Sequence, residues 1–249
     1  MTIKYRLLIA GMTDTGLVRA HNEDCLDWDA DLGVALIADG MGGHNAGEVA
    51  SRLAIETMMG LLHENSGNVD EGRLQAIISE ANQAIYDQAQ AQADCERMGT
   101  TLVMLCLNLG QLFITHIGDS RAYRLRDGEL LRLTDDHSLV RQLLDDGAIS
   151  KDEARASRYK NVITRALGVR DDCEAEIAEF DVVADDIYLL CSDGLTDMVA
   201  DNEIRDLLVD EDRPDDAVTA LMTRAREAGG RDNISVIVAA VTVDGDVAI

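Results

Sequence analysis

The chain has 249 residues and a formal net charge of −25, which excludes the basic footprint expected of a nucleic-acid or anionic-membrane binder. Apolar residues make up 47% but aromatics only 3%, so a sizeable core has to be aliphatic and methionine-rich. A single proline, no Gly/Ser-rich linker and no internal repeat favour one domain over residues 1–249, and no apolar stretch approaches the ~20 residues that span a bilayer.

The segment Leu7–Ala10 is too short for a signal-peptide core and reads as a first strand. Residues 5–39 read as strands, with a hairpin turn around Asp29-Ala30-Asp31-Leu32-Gly33. That acidic stretch is not a calcium loop: its glycine falls one place late, and Ala38 stands where such a loop needs a glutamate. Residues 47–63 carry Val49, Leu53, Ala54, Met58, Leu61 and Leu62 at helical spacing, and residues 70–92 repeat the pattern with Leu74, Ile77, Ile78, Ala81 and Ile85. The two helices are expected to pair over one sheet face. From Thr100 to Thr134 the pattern becomes a meander, with turns at Asn108-Leu109-Gly110 and Asp127-Gly128. Residues 136–160 are polar and helical in pieces, with Leu139 to Leu144 expected to pack. Strands return near 162–166, 174–181 and 186–192, helices at 201–209 and 214–228, and a last strand at 234–243. Strands and helices do not alternate regularly, so antiparallel sheets flanked by helix pairs are favoured over a doubly wound parallel sheet.

The cysteines are scattered and form no Cys-x-x-Cys pair, which supports neither a zinc knuckle nor a redox motif. Cys106 and Cys191 lie in apolar runs and read as small core residues in a protein of the reducing cytosol.

Apolar runs end in aspartate beside glycine at Asp39-Gly40, Gly118-Asp119 and Asp193-Gly194, and Gly230-Arg231-Asp232 opens into another such run. Any one of these is an ordinary turn signal. Strand ends that converge would instead make an oxygen-rich cluster, the chemistry that holds Mg²⁺ or Mn²⁺. The glycines after Asp39 are not a phosphate-binding loop, because no Gly-Lys-Ser/Thr follows; they suit a tight backbone path.

The run Arg19-Ala20-His21-Asn22-Glu23-Asp24 precedes Ala38 to His44, Gly118 to Arg121, Ser192 to Gly194 and Gly230 to Asn233. This ordered set resembles the metal-dependent Ser/Thr protein phosphatases of the PPM family, type 2C, in their bacterial form, over about Gly11 to Ala240. The resemblance implies an α+β fold, a four-layer α-β-β-α sandwich of two antiparallel sheets flanked by helix pairs, with a metal centre at one end. It also implies two Mn²⁺ or Mg²⁺ ions per site and a weaker third. Position by position, Asp39 resembles the carboxylate bridging the two ions, and Gly40 the residue lending one of them its carbonyl. Asp193 and Asp232 resemble ligands of the other ion. Glu23 is similar to the residue that holds a water on the metals, and Asp119 to a ligand of the third ion shared with Asp193.

The implied activity is hydrolysis of phosphoserine and phosphothreonine on proteins by a water that the metal pair activates. Arg19, Asp39, Asp193 and Asp232 form the implied catalytic set. Arg19 has two readings: a bidentate clamp on phosphoryl oxygens, or a surface ion pair with Glu23 or Asp24. Many relatives place a histidine after the Asp-Gly; here Met41 stands there and cannot donate a proton. His44 is the nearest histidine, open to a role as proton donor or as loop support. Residues from about 138 to 160 match the family's flap, where Arg155, Arg158 and Lys160 either meet acidic substrates or form a solvated face. Val169 stands where the family usually has aspartate. The implied partners are phosphorylated Ser/Thr proteins, including a cognate kinase or its targets, with the chain a cytoplasmic monomer that binds no nucleic acid and no membrane. Two alternatives stand beside this: a phosphatase dedicated to a phosphorylated transcription regulator, and a binding module that kept the fold but lost catalysis. The complete carboxylate set argues against the second.

Overall fold

The computed structural model describes residues 4–43, 46–64, 69–150, 153, 154, 157, 159 and 162–243. In chain order the elements are β1 (Tyr5–Asp14), β2 (Asp24–Asp29), β3 (Val34–Met41), α1 (Ala46–Glu64), α2 (Glu71–Ala91), β4 (Gly99–Thr100), β5 (Leu102–Asn108), β6 (Gln111–Ile117), β7 (Arg121–Arg126), β8 (Glu129–Arg132), α3 (Leu139–Asp145), β9 (Glu176–Asp181), β10 (Ile187–Cys191), α4 (Asp193–Thr196), α5 (Asp201–Asp210), α6 (Pro214–Glu227) and β11 (Ile234–Val243). One sheet has the order β1-β11-β10-β7-β8 and the other β2-β3-β5-β6-β9, with β4 added to β3. Every pairing is antiparallel.

The side-chain period of two explains why the central strands read as unbroken apolar runs. In β3, Ala35 and Ile37 face the space between the sheets, whereas Val34, Leu36 and Ala38 face α1 and α2. In β11, Ile237, Ala239 and Val241 point between the sheets, and Ile234, Val236 and Val238 point toward α5 and α6. Both faces of these strands are buried, so no polar face interrupts the run. The result is the four-layer α-β-β-α sandwich. Its core is aliphatic, with Met58, Met98 and Met104 fully buried. Caps follow local rules: the Asp70 carboxylate accepts from the Arg73 amide at 2.8 Å to start α2, and Pro214 occupies the first turn of α6. No helix among the described residues is long and apolar enough to cross a membrane.

Several expectations need correction. The apolar run ending at Ala38 does not turn at Asp39-Gly40; β3 continues to Met41, with Gly40 opposite Thr100. Glycine is required there, because a β-carbon on Gly40 would lie 2.1 Å from the Gly47 carbonyl oxygen and 2.6 Å from that of Glu23. The 100–134 meander is two hairpins in different sheets, β5-β6 and β7-β8, and the short link at 118–120 crosses between them. Residues 162–166 form no strand; isolated bridges join Ser138 to Ile163 and Thr100 to Leu167 instead. Helix α3 is half-buried with no fully buried side chain, because it lies outside the sandwich.

Candidate active site

The seven residues expected at the centre come together. Arg19, Glu23, Asp39, Gly40, Asp119, Asp193 and Asp232 all line one open cavity of about 300 Å³ at one end of the sandwich. They arrive on separate segments. Arg19 and Glu23 ride on the loop between β1 and β2, Asp39 and Gly40 on the end of β3, Asp119 on the link that crosses between sheets, Asp193 on the first residue of α4, and Asp232 on the turn before β11. His44, Arg155, Arg158 and Lys160 lie outside the described residues.

Close packing sets these positions. A β-carbon on Gly194 would sit 1.9 Å from the Asn233 carbonyl oxygen, so α4 presses its backbone onto the turn that carries Asp232. Gly118 has φ +106 and lies against Thr101, and His137 holds it from both sides. The His137 amide donates to the Gly118 carbonyl at 2.8 Å, and the Gly118 amide donates to His137 Nδ1 at 3.1 Å. Asp119 follows directly. The Asp39 amide donates to Thr101 Oγ1 at 3.0 Å, and the Asp39 carbonyl accepts from the Thr100 hydroxyl and the Thr101 amide, each at 2.9 Å.

The electrostatics are those of crowded carboxylates with one cation. Burial pushes Asp39 well above the usual carboxylate range, reinforced by Asp24, Asp193, Asp119 and Asp232. Asp193 is raised in the same way by burial, then by Asp119 and Asp232. Burial lifts Asp119 to about 6, with Asp136 adding repulsion. Burial also raises Glu23, which Arg19 partly offsets. The Arg19 guanidinium donates from Nη2 to Asp232 Oδ2 at 2.6 Å, so its partner is neither Glu23 nor Asp24. The side chain stays 50% exposed at the lining of the open cavity.

Asp24, Thr101, Ser192, Ser235 and Asn233 serve the site although the motif reading gave them no role. Asp24 stands opposite Asp39 in the β2-β3 register and is buried. Its Oδ2 accepts the Ser192 hydroxyl at 2.8 Å and the Ser235 hydroxyl at 2.7 Å, while its buried Oδ1 has no hydrogen-bond partner. Burial raises this carboxyl to about 6. The one available signal was an acidic residue at the start of a strand whose neighbours point inward. A cluster of all-oxygen donors, raised by burial and then by mutual repulsion and holding an orphaned buried oxygen, fits hard divalent cations and disfavours zinc.

A helix-flanked double sheet with such a cavity at its end places the chain among the phosphatases. The family model described as protein phosphatase 2C matches residues 18–238, and the chain belongs to that family. It is 38% identical over 232 residues to the serine/threonine phosphatase stp of Listeria monocytogenes serovar 1/2a, covering 90% of this chain and 92% of that protein. It is 42% identical over 242 residues to the serine/threonine protein phosphatase PstP of Mycobacterium tuberculosis, covering 96% of this chain and 46% of that longer protein. Among solved structures, the catalytic domain of PstP in complex with two manganese ions superposes with a TM-score of 0.88 at 40% identity, covering 96% of this chain and all of that one.

Proposed function

We propose that this protein hydrolyses phosphoserine and phosphothreonine on protein substrates, and so opposes Ser/Thr kinases. The observation that carries the reading is the convergence of Asp39, Asp119, Asp193 and Asp232 in one cavity with Arg19 at its rim. Asp39, the Gly40 carbonyl, Asp193 and Asp232 would hold two Mn²⁺ or Mg²⁺ ions, Glu23 would orient a water beside them, and Asp119 with Asp193 would hold a weaker third. Bound there, the cations supply charge neutralisation for the transferring phosphoryl group and lower the pKa of the attacking water.

The chain's own residues do the rest. Asp232 fixes one edge of the Arg19 guanidinium, which turns its remaining donors toward phosphoryl oxygens. Asp24 and the Ser192 and Ser235 hydroxyls hold the floor beneath Asp39. Met41 lines the cavity without a proton to give, so the proton for the leaving serine or threonine oxygen comes from a water in the site or from His44, and water is the simpler source. The 138–160 segment acts as a flap. In support, its two ends are tied at a neck beside the cavity: the Leu139 amide donates to the Val162 carbonyl at 2.8 Å, and Ile163 lines the site. The cavity is open, which suits a phosphorylated side chain presented by another protein. A cytoplasmic monomer acting on soluble phosphoproteins is the setting we infer.

The test is hydrolysis of p-nitrophenyl phosphate and of phosphoserine, phosphothreonine and phosphotyrosine peptides across Mn²⁺ and Mg²⁺ titrations. Wild-type turnover should be metal-dependent and favour the first two peptides, and Asp39→Asn or Asp193→Asn should cost about 10³-fold or more in kcat. A folded wild-type protein with no turnover at any metal concentration refutes the reading.

A further inference from the structure

We propose that Asn233 is a positioning residue that sets the loop carrying Arg19 and Glu23 against the carboxylates. This rests on the reading of Arg19 as the phosphoryl-binding group. Asn233 is 4% exposed and touches the loop at three places. Its Nδ2 donates to the Thr15 carbonyl at 3.0 Å and to the His21 carbonyl at 2.9 Å, and its Oδ1 accepts the Glu23 amide at 2.8 Å. The orientation of the amide is forced: two carbonyls only accept and one N–H only donates. One side chain thereby ties both ends of the loop between β1 and β2, with Arg19 between the tied points.

The same residue is held in turn. Its carbonyl lies under Gly194 of α4, and its amide donates to Asp232 Oδ1 at 2.8 Å. The loop sits directly on this turn. Gly16, at φ +79, would bring a β-carbon to 2.2 Å from the Asp232 carbonyl oxygen, and the Leu17 amide donates to the Gly230 carbonyl at 2.7 Å. Asn233 is therefore a spacer between the Asp193 helix on one side and the Arg19 loop on the other. Asn233 lines the cavity beside Arg19, but its three side-chain hydrogen bonds all go to the loop, so it acts on substrate through the loop. Aspartate cannot replace it, since a carboxylate would face two carbonyl oxygens with no donor.

The experiment measures p-nitrophenyl phosphate kinetics at saturating Mn²⁺ for the wild type, Asn233→Ala, Asn233→Ser, Arg19→Ala and the Arg19→Ala/Asn233→Ala double variant. Mn²⁺ affinity by calorimetry and amide exchange of the metal-free protein are followed alongside. Asn233→Ala is expected to lower kcat/KM about tenfold, mostly through KM, but by less than about threefold in the Arg19→Ala background. Asn233→Ser, which retains a donor, should recover part of the loss. Equal losses in both backgrounds, or a loss that tracks weaker Mn²⁺ binding, overturn the inference. Amide exchange supplies a test in the unmodified protein: the Glu23 N–H should exchange at least about tenfold slower than an unprotected amide, and an unprotected rate overturns the clasp. An unchanged KM in Arg19→Ala alone refutes the reading of Arg19 instead, without reference to Asn233.

Discussion

Stripped of divalent cations, the protein should become more stable as the pH falls from 7 to 5. Asp24 and Asp119 each have a carboxyl raised from 3.8 to about 6 by burial. A raised folded pKa means the native state binds the proton more tightly than the unfolded chain, so stability is full below 3.8 and is lost as the pH rises through about 6. Each shift corresponds to about 3 kcal/mol, of which roughly half is regained between pH 7 and pH 5, or about 3 kcal/mol for the pair. Asp39 and Asp193 are raised for the same reason and add in the same direction. So does relief of self-repulsion in a chain of net charge −25. His137 opposes them, since burial lowers it from 6.5 and its protonation costs stability in this window. Glu203, held down by Arg224, matters only below the window, because its ordinary value is 4.5. A gain of about 3 kcal/mol moves the melting temperature of a chain this size by about 6–12 °C. Differential scanning calorimetry in EDTA at pH 5, 6 and 7 reads it. Asp24→Asn should visibly shrink the gain, and saturating Mn²⁺ should abolish or invert the slope, because ligation needs deprotonated carboxylates. A metal-free melting temperature that is flat or falls toward pH 5 refutes the reasoning.

Gly40→Ala should destabilise the fold by about 3 kcal/mol in urea unfolding, because the added carbon meets two backbone oxygens that cannot move independently. Arg19→Lys should raise KM for p-nitrophenyl phosphate nearly as much as Arg19→Ala, about tenfold, since an ammonium cannot span Asp232 and a phosphoryl group together. Asn82→Ala should cost about 2–3 kcal/mol, because its buried amide serves the Gly168 amide and the Arg170 and Asp171 carbonyls at once. Thiol titration with Ellman's reagent at pH 7.5 should show no fast phase: burial raises the Cys106 and Cys191 thiols to about 12 and Cys173 to about 11, it raises Cys25 in the same direction, and Cys95 is buried.

Residues whose role depends on near neighbours were readable in the chain. The last strand was expected at 234–243 and lies there, and both helix pairs fall within a residue or two of their periodic patterns. The convergence of Asp39, Asp193 and Asp232 was legible only through the ordered motifs, since spacing along a chain does not say which strand ends meet. What escaped was set by distant partners. Residues 162–166 have strand-like composition, yet this stretch meets only Ser138 and, just beyond it at Leu167, Thr100 of β4, through single bridges and no ladder. The 118–120 link reads as one more hairpin turn, because a two-residue period says which face a side chain takes and not which sheet. Asp24 ends the first motif with no role that the sequence assigns, and its register opposite Asp39 buries it. Arg19 found its carboxylate 213 positions away, beyond any local pairing rule.

Strand β1 pairs with β11 along its whole length, from Tyr5 opposite Val243 to Asp14 opposite Ile234. Arg19 and Asp232 lie just past the same end of that zipper. A chain growing on the ribosome therefore holds Arg19, Glu23 and Asp39 early, but cannot complete the cavity until the final strand has emerged and closed beside the first. Completion of the cavity therefore waits on β11, so a polypeptide that stops before Ile234 lacks the strand that closes beside β1 and cannot form the active cavity.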